Sequence, residues 1–310
     1  MRIVPLLLLL ASLLASVVVS SCRPDFGERE SRVDRRRVLA VRVDPPEAKP
    51  GESVTATLLV AAPDGPVIDV ASSWAFCAAP KLLTENGSVG AACLADGVIP
   101  IGDALGGVSA ILPASSCFNF GPEVQSAEVR PRDPDVTGGF FSPIRARVPG
   151  RSGEEPLTAF GFARITCNLA NAAGELATQF QRQYVKNKAP ALLGIEARSE
   201  ADAVVQLDAV PRGAQIVLRA SWRPEDAELY AVFDTREQAI VTRRESLRVS
   251  WFSTAGTFEH DRTGRTEEER ETFTDNAWTA PDDARTSHAW AVLRDARGGV
   301  GFVHVALATR

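Results

Sequence analysis

The chain is built from short stretches in which apolar and polar residues alternate, each closed by proline, glycine or aspartate. Residues 38–43 form one such stretch and stop at Asp44-Pro45-Pro46, residues 53–61 form a second and residues 67–77 a third. Alternation with a period of two turns one face of an extended segment toward a core, and proline ends strand pairing. Long helical periodicity is absent. The pattern therefore predicts an all-β chain.

The first of two domains is predicted at residues 38–186. Further strands are predicted at 144–148, 158–169 and 177–185. Residues 80–142 break this rhythm with Asn86-Gly87, a Gly/Ala-rich segment and the stretch 130–141, which is rich in Pro and Asp. Loops of this length are usually functional or stapled. We therefore predict a long, loop-rich insertion at about 80–142.

The second domain is predicted at residues 190–310, after a short polar hinge at 186–190. Its alternating stretches predict strands at 191–197, 203–207, 214–222, 239–242, 246–253, 288–294 and 300–308. The last two form a hairpin that turns at residues 295–299, Asp-Ala-Arg-Gly-Gly. Residues 224–236 and the charged segment up to Glu271 are predicted as loops.

Two sequence patterns resemble known β-sandwich proteins. The turn Pro-Gly-Glu-Ser-Val at 50–54 resembles the turn into the second strand of immunoglobulin-like domains of bacterial surface proteins. Ser-Trp-Phe-Ser at 250–253, Trp-Thr-Ala-Pro at 278–281 and the turn at 295–299 resemble Ig-like and PKD-like repeats of bacterial secreted proteins. The resemblance implies two Ig-like β-sandwich domains in tandem. In the first of them it implies Trp74 as a core anchor and the alternating run Phe160–Cys167 as an inner strand. It implies no ligand, because one sandwich hosts many functions.

The N-terminal residues have the order of a secretory signal: Arg2, an apolar run up to Val19, and then Ser20, Ser21 and Cys22. The sequence Val19-Ser20-Ser21-Cys22 resembles the lipobox of bacterial lipoproteins. That resemblance implies removal of residues 1–21 as a signal peptide and a diacylglycerol on the sulfur of Cys22. The position after it is Arg23 rather than Asp, which implies the outer membrane. An unlipidated signal peptide and a retained membrane helix are the alternatives.

Residues 22–37 are polar and charged, and we interpret them as a lipidated N-terminus followed by a flexible tether. Arg35-Arg36-Arg37 within it is either a solvated charge run, which is favoured, or a contact to anionic lipid headgroups.

Five cysteines are present, and lipidation of Cys22 leaves four in an oxidising compartment: Cys77, Cys93, Cys117 and Cys167. An even number predicts two disulfides, and four cysteines allow three pairings. The resemblance to an Ig-like sandwich favours Cys77 with Cys167, on neighbouring strands, which leaves Cys93 with Cys117 to staple the insertion.

Three groups of residues are candidate binding sites. Asp133 and Asp135, with the threonine and glycines that follow, are calcium candidates, although a local turn in which aspartates bond backbone N–H groups is favoured. Trp251, Trp278 and Trp290 form either a sugar-stacking platform or part of the core, and the core is favoured. His288 and His304 lie on the last two predicted strands. Further metal ligands cannot be placed beside them, so surface or hydrogen-bonded histidines are favoured over a metal site.

No catalytic motif, phosphate loop or dinucleotide fingerprint is present. Asn86-Gly87-Ser88 matches a glycosylation sequon, but a hairpin turn is favoured. The net charge of −5, without a basic patch in the sequence, argues against nucleic acid as a partner. These observations predict a non-enzymatic envelope protein without a cofactor, with a binding, adhesion or scaffold role. Its expected partners are the membrane, through Cys22, and an envelope protein or glycan. The alternative is a carbohydrate-binding or enzyme-accessory module.

Overall fold

The computed structural model describes residues 29–82, 84–122, 137–151, 153–167, 169 and 172–310. Residues 31–310 form one compact unit. Three of the sequence predictions, the lipobox with Cys22 and the calcium candidates Asp133 and Asp135, lie outside the described residues. None of the helices in the described ranges is long and apolar enough to cross a membrane.

Two packed sheets make up the first sandwich. Its strands are β1 (Arg37–Asp44), β2 (Glu47–Ala48), β3 (Ser53–Ala62), β4 (Gly65–Val67), β5 (Ala71–Cys77), β6 (Val98–Leu105), β7 (Gly107–Ile111), β8 (Phe140–Val148) and β9 (Leu157–Ile165). One sheet places β1 on one side of β3, and β4 and β7 on the other, while the second sheet has the order β2-β9-β8-β5-β6. Trp74 is 2% exposed in the core between them, as predicted.

The segment predicted as a loop-rich insertion contributes strands to both sheets. β6 pairs with β5 at the edge of one sheet, and β7 pairs with β3 in the other. Two short helices flank these strands, α1 (Ala91–Leu94) and α2 (Ser116–Phe120). Both strands have one exposed side, so burial does not require a regular apolar pattern. The Gly/Ala-rich sequence therefore concealed them.

The structure contains two disulfides, Cys77–Cys93 and Cys117–Cys167. The favoured pairing of Cys77 with Cys167, and of Cys93 with Cys117, is wrong. β8 lies between β5 and β9, so the ends of these strands are two inter-strand spacings apart, about 10 Å. Bridged cysteines need Cα atoms within about 7 Å. The two bridges thus staple the insertion to the ends of the sandwich strands and not to itself.

The second sandwich also has two main sheets. Its strands are β10 (Leu192–Arg198), β11 (Val204–Val205), β12 (Gln215–Trp222), β13 (Leu229–Asp234), β14 (Ala239–Arg244), β15 (Leu247–Ser253), β16 (Thr257–Phe258), β17 (Arg262–Arg265), β18 (Phe273–Thr279), β19 (Arg285–Asp295) and β20 (Val300–Thr309). The orders are β11-β10-β12-β18-β16 and β17-β15-β19-β20, and β13 and β14 form a separate hairpin. The predicted fold class, an all-β chain with two sandwiches in tandem, is confirmed.

Three local predictions differ from the structure. Residues 177–185 were predicted as a strand, but helix α3 spans Gly174–Gln183. Its residues Glu175, Leu176, Thr178 and Gln179 offer no alternating face, and the apolar positions Ala177 and Phe180 have helical spacing. Strands β13 and β17 lie in segments predicted as loops. β13, Leu-Tyr-Ala-Val-Phe-Asp, is a short apolar run without alternation between charged segments, and β17, Arg-Thr-Gly-Arg, is polar.

Part of the predicted tether belongs to the folded unit. The N–H of Val33 donates to the carbonyl of Ser253 over 2.9 Å, and the N–H of Ser253 donates to the carbonyl of Ser31 over 2.8 Å. Val33 is fully buried in a cluster that also contains Phe252 and Trp290. A single apolar residue in a polar run gave no periodic signal. The flexible-tether interpretation is therefore wrong for residues 31–37.

Candidate functional site

An arginine at the centre of a buried ionic cluster lies in the turn between β19 and β20. The side chain of Arg297 is fully buried, and its Nε donates to Glu245 over 2.6 Å while Nη2 donates to Glu228 over 2.7 Å. Its Nη1 donates to the carbonyl of Val185, in the connection between the sandwiches. The guanidinium also stacks on Tyr230, 4.6 Å from the ring centroid. All its polar nitrogens thus have partners, as burial of a charge requires.

The first sandwich carries a second buried ion pair. Arg164 in β9 lies 3.6 Å from Glu47 in β2, and both side chains are almost fully buried. Nε of Arg164 donates to the hydroxyl of Tyr184, which donates in turn to Glu47 over 2.7 Å. Nη1 of Arg164 donates to Thr137 over 2.7 Å. Burial raises the pKa of Tyr184 to about 12, so its hydroxyl keeps the proton that it donates.

Asn187 joins the two clusters. Its backbone N–H donates to the carboxylate of Glu47 over 2.9 Å, and its side-chain amide donates to Asp295 over 3.2 and 3.3 Å. One residue of the connection therefore bonds to a buried carboxylate in each sandwich. Two following backbone N–H groups are also hydrogen-bonded. The N–H of Lys188 donates to Glu228, and the N–H of Ala191 donates to Asp226. Within the segment predicted as a hinge, the N–H groups of Asn187 and Lys188 are therefore both hydrogen-bonded.

Three carboxyl groups, Glu228, Glu245 and Asp295, lie around one arginine. Burial is the main cause that raises the pKa of Glu245 to about 8, and the nearby Asp295 adds to it, against the attraction of Arg297. Burial also raises the pKa of Asp295. Removing ions from water costs several kcal/mol each unless they are paired. When buried carboxyl groups outnumber the basic groups beside them, a carboxyl group retains its proton, because burial disfavours the charged form.

His288 of the second sandwich lies against the first sandwich and pairs with His304 in its own sheet. Nδ1 of His288 lies 2.9 Å from Nε2 of His304, and the rings stack at 5.1 Å. A Cβ atom at Gly65 of β4 would lie 2.9 Å from Nε2 of His288, so glycine permits this approach. Burial, and next the charge of His288, lowers the pKa of His304. The two histidines are therefore hydrogen-bonded to each other, one of the two arrangements that the sequence favoured over a metal site.

The alternative interpretation of the three tryptophans as a sugar-stacking platform is wrong. Trp251, Trp278 and Trp290 are each fully buried. The indole nitrogen of Trp251 donates to Thr263, and that of Trp278 to the carbonyl of Ala255. The core interpretation is confirmed, and the carbohydrate-binding alternative loses the aromatic surface on which it depended. Within the described ranges, no three His, Cys, Asp or Glu side chains are grouped so as to hold a metal ion.

An open groove of about 740 Å³ collects arginines that are scattered in the sequence. We call it the arginine groove, and it is lined by Arg243, Arg244, Arg248, Arg262 and Arg265, with Glu267 and Glu268 at one side. Thr137, Tyr230 and Ala296 also line it, so it opens beside the buried cluster of Arg297. The sequence did not reveal this basic patch, because its residues come from three elements. Some of these residues also lie in a segment predicted as a charged loop.

The buried ionic cluster was also missed, and the sequence held little signal for it. Its members are single charged residues beside short apolar strands. Charged side chains ordinarily face water. Arg297 lies in a turn that was correctly predicted, yet it is the most buried arginine of the described ranges. Only the packing of one sandwich on the other removes these groups from water.

No protein-family model matches the sequence, and no curated protein sequence matches it. Among solved structures, the D00-D0 domain of intimin is similar at a TM-score of 0.26 and 11% identity, covering 87% of this chain and 100% of that chain. The adhesin InvE of Yersinia pseudotuberculosis has a TM-score of 0.23 and 10% identity, covering 86% of this chain and 58% of that one. The fibronectin(III)-like modules of Clostridium thermocellum CbhA have a TM-score of 0.21 and 10% identity, covering 87% and 93%. These TM-scores are too low to support a fold assignment, which rests instead on the sheets described above.

The raised pKa of Glu245 makes a prediction for stability against pH. In the folded chain Glu245 keeps its proton up to about pH 8, whereas in the unfolded chain it releases the proton above the ordinary pKa of 4.5. The free energy of unfolding therefore falls as the pH rises from about 4.5 to about 8. We expect Glu245→Gln to remove up to about 1.4 kcal/mol of this fall per pH unit. Urea unfolding of both proteins across this range measures the difference. The exposed Glu200→Gln is the control, and equal slopes in all three proteins would contradict the prediction.

Proposed function

We propose that this chain is an outer-membrane lipoprotein, anchored by a lipid on Cys22, with a non-catalytic binding, adhesion or scaffold role in the cell envelope. The lipobox resemblance of residues 19–22 supports the anchor. Two disulfides support an oxidising compartment, since structural disulfides persist mainly outside the cytoplasm. Stable anchoring follows from two or three acyl chains, at about 0.8 kcal/mol per buried CH₂.

The observation that carries the proposal is the bonded connection between the sandwiches. Asn187 bonds Glu47 of the first sandwich and Asp295 of the second, and Arg297 bonds the carbonyl of Val185. Tandem domains usually move relative to one another unless their interface is large and apolar. Here an apolar cluster crosses the interface, His288 lies against Gly65, and Asn187 joins buried carboxylates of the two sandwiches. A rigid pair of sandwiches suits a protein that presents a surface at a fixed orientation.

The binding surface is proposed on the stapled insertion. Exposed large apolar side chains are concentrated there, and they are Leu82, Leu94, Ile99, Leu105, Ile111 and Phe118. Disulfides hold this region at Cys93 and Cys117, and Arg145 of β8 donates to the carbonyls of Cys93 and Ala95, both over 2.6 Å. Exposed apolar groups on a fixed backbone are typical of protein interaction sites, because little entropy is lost on binding.

The anchor is tested by Cys22→Ser. We expect the wild-type protein to sediment with outer membranes and to carry acyl chains on an N-terminal Cys22, because the thiol is the site of lipidation. The variant is expected to lack these acyl chains and to leave the outer-membrane fraction. Membrane fractionation and mass spectrometry of the N-terminal peptide measure both. Ser21→Ala, which keeps the thiol, is the matched control. An unacylated Cys22 in the wild-type protein would refute the anchor.

The binding surface is tested by photo-crosslinking in intact envelopes. A photoreactive amino acid at Ile99, 38% exposed in the insertion, is expected to form a discrete crosslinked species because the apolar surface contacts a partner. The same amino acid at Val204, 66% exposed in the second sandwich, is the control. Equal crosslinking at both positions, or none at Ile99, would contradict this placement of the surface.

A further inference from the structure

The arginine groove concentrates positive charge on a chain whose net charge is −5. Five arginines against two glutamates leave three positive charges among the lining residues. Arg265 is partly neutralised, since it lies 3.6 Å from Glu269 and 3.9 Å from Glu271. Arg244 instead donates to the carbonyls of Ala227 and Glu269, which leaves its charge in place. Planar guanidinium groups bind phosphate oxygens in a bidentate manner.

The face of the neighbouring sheet that packs on the first sandwich through Phe252 and Trp290 carries further arginines at its end. Arg248 faces Arg294 across β15 and β19, and Ser250 faces Arg262 across β15 and β17. Cross-strand partners and next-but-one residues share a face, so these three arginines project from the same side. Arg294 donates to the hydroxyl of Ser250 and to the carbonyl of Leu39, over 3.3 and 3.2 Å.

The three arginines act on one another with like charge. Burial, and then the charges of Arg262 and Arg248, lower the pKa of Arg294. Like charges at this spacing repel, and an anion between them lowers that repulsion. The geometry thus offers a site where binding of an anion is favourable.

The chain enters the folded unit beside this surface. The N–H of Ser31 donates to the carboxylate of Asp261 over 3.2 Å, and Asp261 directly precedes Arg262. Ser31 and Val33 bond the backbone of Ser253, at the end of β15. Eight residues separate Cys22 from Ser31, and a fully extended chain of this length reaches about 30 Å. A lipid on Cys22 therefore tethers the arginine surface within that covalent distance of the bilayer.

We propose that the arginine groove, in which Arg248 and Arg262 are exposed, binds the phosphate groups of anionic lipid headgroups. This inference rests on the proposed anchor and deepens it, because it assigns the face that lies against the membrane. Two or three acyl chains already anchor the protein stably, so the basic groove fixes its orientation at the bilayer and does not supply the attachment. Basic residues near an anionic surface add to membrane affinity, and their effect is screened by salt. The exposed apolar surface of the insertion then remains available to bind a partner.

Vesicle binding of the full chain tests the proposal, with Cys22→Ser present throughout so that lipidation plays no part. Each protein is partitioned onto vesicles of phosphatidylcholine and onto vesicles of phosphatidylcholine mixed with phosphatidylglycerol. The apolar N-terminal run contributes equally to both, so the ratio of the two partition coefficients measures headgroup recognition. We expect the triple variant Arg243→Gln, Arg248→Gln, Arg262→Gln to lower this ratio by about tenfold to a hundredfold.

A second triple variant gives the matched control. Arg151→Gln, Arg212→Gln and Arg236→Gln make the same change in net charge at exposed positions outside the groove, and we expect them to keep the ratio. Should the first variant fail to fold, Arg248→Gln alone is expected to lower the ratio by about fivefold. An equal loss in groove and control variants, or no loss in either, would overturn the proposal.

Two further ligands separate a lipid surface from other sources of anions. Inorganic phosphate, titrated calorimetrically, is expected to bind far more weakly than the mixed vesicles, because only a bilayer presents many headgroups at once. Groove-dependent phosphate binding without groove-dependent vesicle binding would assign the groove to a free anion. Tighter groove-dependent binding of a soluble sulfated glycan than of vesicles would assign it to a glycan. Either result contradicts the membrane proposal, and neither bears on lipidation of Cys22.

Discussion

The structure depends on one constraint, that buried carboxylates must be given hydrogen-bond donors. Glu47 in the first sandwich and Asp295 in the second are both removed from water, and Asn187 between them donates to each. Breaking a buried pair costs about 3–5 kcal/mol, because the remaining charge is left without a partner. Separation of the sandwiches would expose or strand several such groups at once. The ionic cluster therefore couples the stability of the two halves.

This coupling gives the proposed function its physical form. The first sandwich holds an insertion whose strands extend both sheets and whose helices are bridged to Cys77 and Cys167. The second sandwich carries the arginine surface next to the point where the chain enters. A rigid connection fixes the angle between these two surfaces. An anchored protein with a defined membrane face and a defined partner face is consistent with a binding or scaffold role.

Much of the fold was predictable from the sequence, and the reason lies in the period of its apolar residues. Strand β12 buries every second residue, so its alternation is visible locally. Strands β1, β15 and β19 bury residues on both faces and are recognisable as short apolar-rich stretches bounded by turns. β6 and β7 escaped prediction because edge strands with an exposed side need no such pattern. The disulfide pairing depended on the order of strands in a sheet, which a sequence does not contain. The ionic cluster and the arginine groove both join residues distant in sequence, such as Glu47 with Asn187, or Arg248 with Arg262.

The rigid connection is the central claim, and hydrogen exchange at Asn187 tests it most directly. Its N–H donates to a buried carboxylate that is itself bonded to Tyr184 and Thr166. Exchange then requires separation of the sandwiches or global unfolding. The account predicts protection of the Asn187 amide similar to that of core amides in β19. Exchange as fast as that of the exposed turn at residues 200–202 would contradict it, because the connection would then be a flexible hinge.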